Sequence, residues 1–138
     1  MTGGHAWIDT SALLALASPR DQYHKRAVGV AASYEQSGGQ WVSSVLVLGE
    51  FHRRILYRAG PAVARSAVAR LLGDPANRWL DVTTALVSSA VSAWLERFHD
   101  QDFSLTDAVS FELMKREGLT EAFAFDRHYL VAGFTLLQ

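Results

Sequence analysis

The chain has no cysteine. Disulfides and thiolate metal sites are therefore excluded, and the absence suits a cytoplasmic protein. Proline is scarce, three in 138 residues. Two of them, Pro19 and Pro61, fall where one helical pattern stops and another begins. No apolar run reaches the roughly 18 residues of a membrane span. The N-terminus, MTGGHAWIDT, has neither the basic n-region nor the long apolar h-region of a signal peptide. Charge of one sign is also missing: the formal net charge is -1. That excludes a strongly basic nucleic-acid footprint and leaves only a local basic patch. GxGxxG, P-loop and GxSxG motifs are absent, so the usual dinucleotide, nucleotide and α/β-hydrolase signals are lacking.

What is present is ordinary for a globular domain: 49% hydrophobic and 20% charged residues. The length predicts one domain, residues 1–138, with a single core. Apolar periodicity predicts short strands at 5–8, 40–43, 79–83, 121–125 and 134–137. It predicts helices at 10–16, 21–36, 44–58, 61–72, 84–99 and 105–117, the last closed by Gly118. Strands thus alternate with helices. The expected architecture is α/β: a mainly parallel central sheet of about five short strands, with helices on both faces in three layers.

Four acids stand out by their setting. Asp9 interrupts the apolar run WIDTSALLAL, between a buried strand and a helix, where an unpaired charge is costly. It also suits a helix N-cap accepting from Ser11 or Ala12. Glu50 lies in VLVLGEFHRR, on the face of Leu46 and Val47. It also suits a surface ion pair with Arg53 or Arg54. Asp107, in SLTDAVSFELM, forms a capping box with Ser104 and shares its face with Phe111 and Met114. Asp126 follows a strand in AFAFDRHY and also suits a turn.

Taken together these positions say more than each does alone. Asp9 and Asp126 follow strands at their C-terminal ends, where open α/β sheets form their binding crevice. Asp107 is in the first turn of a helix, and Glu50 is near the start of another. Four carboxylates in one cleft repel, at roughly 3 kcal/mol per pair for a separation of about 5 Å and an effective dielectric of about 20. A divalent cation explains such a cluster. Oxygen ligands without cysteine favour Mg²⁺ or Mn²⁺ over zinc. A water activated there and oriented by a carboxylate attacks a phosphodiester, which is metal-dependent nuclease chemistry.

The ordered segments IDTSALLAL, VLVLGEF, FSLTDAVSFELMKREGL and EAFAFDRHYLVAGFTLL span the chain. Their set resembles a PIN domain, specifically the VapC-type toxin nucleases of toxin–antitoxin pairs. The resemblance implies a parallel sheet sandwiched by helices, with the family's acids at Asp9, Glu50, Asp107 and Asp126. It implies an Mg²⁺- or Mn²⁺-dependent endoribonuclease acting on RNA, a cognate antitoxin that blocks the cleft, and a homodimer. It also places hydroxyls close to the metal at Thr10, Ser11 and Thr106. RNA affinity is expected from local cations at Arg53, Arg54, Lys115 and Arg127, and Asp102 is a candidate fifth acid at the rim.

Other features carry less. The five histidines show no zinc-site spacing and are not expected to ligate metal. His128, two residues after Asp126, suits either an RNA contact or packing. Trp7, Trp41, Trp79 and Trp94 read as core. Residues 44–72 suit either internal packing or a groove for an antitoxin helix. Two other readings stay open: a non-toxic PIN nuclease in RNA processing, and an inactive RNA- or protein-binding module. A phospho-receiver domain is excluded. Strand one offers a single acid, and no lysine follows Lys115.

Overall fold

The computed structural model describes residues 3–137. Five strands form one sheet in the order β3-β2-β1-β4-β5, and every pairing is parallel. β1 (His5–Ile8) lies at the centre and is buried from Ala6 onward. Such a continuous apolar run is what a strand covered on both faces requires. Its neighbours are β2 (Gln40–Ser44) and β4 (Glu121–Phe123), with β3 (Asn77–Leu80) and β5 (Thr135–Leu136) at the edges.

The chain moves outward on one side through β1, β2 and β3, then returns across β1 to β4 and β5. Right-handed crossovers in opposite directions put helices on opposite faces. One group is α1 (Thr10–Ala17), α2 (His24–Gln36), α3 (Val45–Ala59) and α4 (Pro61–Gly73). The other is α5 (Thr84–Ala90), a π-helical continuation at Val91–Glu96, and α6 (Leu105–Glu117). Members of each group pack on one another. The short α7 (His128–Val131) links β4 to β5. The largest fully buried side chains include Trp7, Phe51, Phe111, Phe123 and Tyr129.

The expected architecture is observed, with local differences that have physical causes. β3 begins two residues earlier than its hydrophobic pattern indicates. It pairs with β2 from Trp41 opposite Asn77 to Ser44 opposite Leu80. Thr83 is not strand because its hydroxyl accepts from Leu86 N–H at 3.1 Å and caps α5. α2 begins at His24 rather than 21, since the Asp21 carboxylate holds Tyr23 N–H at 2.8 Å in an Asx turn. β4 stops at Phe123 because Phe125 N–H turns to the hydroxyl of Ser11, at 2.9 Å. The helix expected at 84–99 changes to π geometry where Trp94 is buried and donates to Glu112 Oε1 at 3.1 Å. Trp7, Trp41 and Trp94 are core residues, whereas Trp79 is partly exposed and packs against the core edge. No helix among the described residues is long and apolar enough to cross a membrane.

Candidate active site

The switch in strand direction falls between β1 and β4, so a crevice opens at their C-terminal ends. Asp9 sits there. Its N–H makes the last rung to Phe123 O at 3.0 Å, and its carbonyl accepts from Ala12 and Leu13 to start α1. Asp9 therefore holds the N-cap position, yet its carboxylate makes no capping bond. Oδ1 instead accepts from the Tyr129 hydroxyl at 2.9 Å, and Oδ2 from Ser11 Oγ at 3.4 Å. Ser11 also accepts from Phe125 N–H, so one hydroxyl ties α1, the acid and the end of β4 together.

Asp107 does two jobs. It completes the capping box with Ser104, accepting from Ser104 N–H at 3.0 Å while its own N–H donates to Ser104 Oγ at 3.0 Å. The same Oδ2 lies 2.9 Å from His128 Nδ1. Asp126 Oδ1 accepts from His128 N–H at 2.8 Å, the turn expected for this position, and lies 3.4 Å from His128 Nδ1. The other ring nitrogen, Nε2, is 3.2 Å from Asp102, whose side chain is 97% exposed. Asp102 thus reaches the site at its rim through the imidazole.

A cleft of about 400 Å³ gathers Asp9, Glu50, Asp107 and Asp126, together with Asp102 and His128. Thr10 and Ser11 line it too, and Thr106 does not. Of the candidate RNA-binding cations, Arg54 lines the cleft, while Arg53, Lys115 and Arg127 do not. Arg58 joins Arg54 on the same wall. Glu50, Arg54 and Arg58 are each four residues apart on α3 and so share one face. Among the described residues Glu50 forms no ion pair with Arg53 or Arg54.

The electrostatics record the crowding. Burial pushes the Asp9 carboxyl up to about 6, partly countered by the Tyr129 hydroxyl and reinforced by the charges of Asp107 and Glu50. Burial also raises Asp107, against the pull of Ser104 N–H and His128. For His128, burial acts downward, but Asp107, Asp126 and Asp102 outweigh it and the imidazole is raised. The Tyr129 hydroxyl is held well above its usual range by burial and by Asp9, so it stays a donor.

These residues fit a hard divalent cation. Among the described residues, the donors to Asp107 all meet Oδ2 and those to Asp126 meet Oδ1. One oxygen of each is left to coordinate, as are both oxygens of Glu50. Thr10 Oγ1 is buried beside Asp9 with no hydrogen-bond partner. Among the described residues, the possible ligand atoms within 4.8 Å of one another are those of Asp107, Asp126 and His128, a histidine the sequence spacing does not point to; Asp9 and Glu50 line the same cleft outside that group.

The histidine spacing fits no zinc motif. His128 nonetheless stands among three acids. The legible signal was Asp-x-His after a strand, where an Asx turn folds the ring back over the acids. Tyr129 and Arg58 had signals too: a tyrosine three residues after the acid, and an arginine one turn beyond Arg54.

The PIN domain family model matches residues 6–134. This chain belongs to the PIN domain family. The domain is 31% identical over 128 residues to the 23S rRNA-specific endonuclease VapC20 of Mycobacterium tuberculosis, covering 93% of this chain and 94% of that one. The crystal structure of VapC20, a sarcin-ricin loop cleaving toxin, superposes with a TM-score of 0.84 at 32% identity, covering 94% and 96% of the two chains. FitAcB from Neisseria gonorrhoeae shares the fold at 15% identity, with a TM-score of 0.68 and 96% of each chain covered. VapBC2 from Rickettsia felis shares it at 10% identity, with a TM-score of 0.67 and 96% of each chain covered.

Proposed function

We propose that this PIN domain is a metal-dependent endoribonuclease and the toxin of a toxin–antitoxin pair. The observation that carries the reading is the convergence of Asp9, Glu50, Asp107 and Asp126, from four separate segments, on one cleft at the sheet's switch point. The relationship to VapC20 supports both the reaction and the toxin role.

Asp9, Glu50, Asp107 and Asp126 would hold Mg²⁺ or Mn²⁺. When bound, the ion supplies Lewis-acid polarisation of a phosphodiester and lowers the pKa of water. The chain's own residues do the rest. Tyr129 and Ser11 fix the Asp9 carboxylate, and Ser104 and His128 fix that of Asp107. Arg54 and Arg58 give the approaching RNA backbone cations that the acid cluster lacks. Cleavage is hydrolytic: the oxygen of water bonds to phosphorus, the bond from phosphorus to one ribose oxygen breaks, and that oxygen leaves as a hydroxyl carrying one of the water's protons.

The partner reading has its own support. An apolar groove of about 570 Å³ runs between α1, α3 and α4, with Leu16, Phe51, Ile55, Val63 and Leu71 in its lining. The apolar face of an antitoxin helix fits such a groove.

The deciding experiment is cleavage of total cellular RNA by purified protein in Mg²⁺, in Mn²⁺ and in EDTA, beside Asp9→Asn. Discrete products that need the metal and vanish in the variant are expected. A folded, metal-supplied protein that cuts no RNA would shift the reading to a binding module.

A further inference from the structure

A cluster of acids repels the polymer it is meant to cut, so the substrate must be held by something besides charge at the acids. The lining of the cleft includes an aromatic pair as well as the arginines of α3. Tyr23 and Phe125 both line the cleft, and their rings stack at 4.5 Å with planes 3° apart. Tyr23 is 36% exposed, a large aromatic left open beside the site. Its loop is set firmly. The Asp21 carboxylate accepts Tyr23 N–H, His24 N–H donates to Asp21 O, and His24 Nδ1 lies 2.7 Å from Ala15 O. Phe125 is anchored through its N–H to Ser11, the residue that also contacts Asp9.

Tyr23 and Phe125 also line a second recess, of about 110 Å³, together with Arg26. The Arg26 guanidinium sits 5.9 Å from the centre of the Phe125 ring. An RNA strand running from the cleft toward this recess would pass the partly exposed Tyr23 ring and Arg26. Aromatic faces accept any base by stacking, and flanking cations take the phosphates.

We infer that Tyr23, backed by Phe125, is a stacking platform for an unpaired nucleobase of the RNA next to the scissile phosphate, with Arg26 taking a phosphate beyond it. The inference rests on the nuclease reading and adds a substrate subsite to it. Packing alone explains a ring stacked on Phe125. It does not explain why that ring stays open at the cleft, on a loop fixed from both ends.

The test measures RNA affinity in the cleavage-deficient Asp9→Asn protein and cleavage in the otherwise unaltered enzyme. Short single-stranded oligoribonucleotides drawn from the mapped cleavage region serve as probes, intact or abasic at single successive positions. Tyr23→Ala should weaken binding of the intact probe by about five- to a hundredfold. It should raise KM more than it lowers kcat, whereas Tyr23→Phe and Tyr23→Trp retain wild-type behaviour. Tyr23→Leu keeps apolar packing on Phe125 but should bind as weakly as the alanine variant. One abasic position should cancel the effect of Tyr23→Ala, because the base and the ring then act as a pair. If Tyr23→Ala and Tyr23→Leu bind and cleave as the parent proteins do, or if no abasic position cancels the loss, the platform is overturned and the nuclease reading stands. If the unaltered enzyme cuts no cellular RNA in Mg²⁺ or Mn²⁺, no cleavage region exists to probe, and both readings fall together.

Discussion

The hydroxyl of Tyr129 donates to Asp9 Oδ1 at 2.9 Å, and both residues are buried. Tyr129 comes from α7 and Asp9 from the end of β1, 120 residues apart in sequence. The tyrosine is the neutral donor that lets a carboxylate sit at the centre of the fold. Tyr129→Phe should therefore cost about 1–3 kcal/mol of metal-free stability at neutral pH, as expected when a buried charged acceptor loses its donor. Added Mg²⁺ should recover part of the loss by supplying another partner. Urea unfolding with and without the ion checks this, and an unchanged midpoint in EDTA would show that the bond contributes nothing.

Metal-free stability should fall as pH rises. The Asp9 carboxyl is raised from 3.8 to about 6 in the folded state. A raised acid favours folding below its unfolded pKa and loses that contribution as pH rises through the folded value. The shift corresponds to about 3 kcal/mol between about pH 4 and about pH 6. Asp107 is raised too and acts in the same direction. His128, raised above 6.5 by its acids, stabilises as a cation at low pH and loses that contribution as it deprotonates. Unfolding midpoints in EDTA should therefore decline from about pH 4 through about pH 6 as Asp9 ionises, and decline further above 6.5 as His128 deprotonates. Saturating Mg²⁺, which binds the ionised carboxylates, should flatten or reverse the trend. A metal-free midpoint that rises with pH would contradict the assigned environment of Asp9.

Much of this arrangement is legible in the sequence, because it follows from local rules. Strand-helix alternation indicates the parallel sheet, and Ser104-x-x-Asp107 indicates a capping box that is indeed present. The acids were legible because each breaks an apolar face. The supporting groups were less so. The Tyr129 hydroxyl, the His128 ring and the stack of Tyr23 on Phe125 depend on side-chain directions after turns, which no periodicity encodes. Thr83 read as strand because β-branched residues suit strands, yet its hydroxyl bond to Leu86 N–H made it a cap. Arg53 and Arg54 both neighbour Glu50, at three and four residues' distance, but they flank it on opposite sides about 100° apart around the helix, and only Arg54 lines the cleft.

Asp107→Asn separates capping from metal binding. The amide oxygen can still accept from Ser104 N–H, so α6 keeps its cap and metal-free stability should stay within about 1 kcal/mol of wild type. The charge available to a cation is lost. In the unaltered protein an ion at about a hundred times its Kd adds about 2.7 kcal/mol of stability. That gain should shrink sharply in the variant, as read by thermal melts at rising Mg²⁺. An unaltered gain would remove Asp107 from the metal site.

Arg54 and Arg58 line the cleft wall one helical turn apart, on the face of α3 that also carries Glu50. A polyanion entering a cleft rich in carboxylates needs these charges at its approach. Each phosphate contact releases counterions, so its removal shows in the salt dependence as well as in the affinity. Arg54→Ala and Arg58→Ala should each weaken RNA binding by the Asp9→Asn protein and lower the slope of log K against log salt by about 1. The loss should be similar for unrelated RNA sequences, since a phosphate carries no sequence information. Arg53→Ala and Lys115→Ala, at positions outside the cleft lining, should leave both quantities close to those of the parent. An equal effect from all four substitutions would mean that RNA responds to overall charge, not to a path along α3.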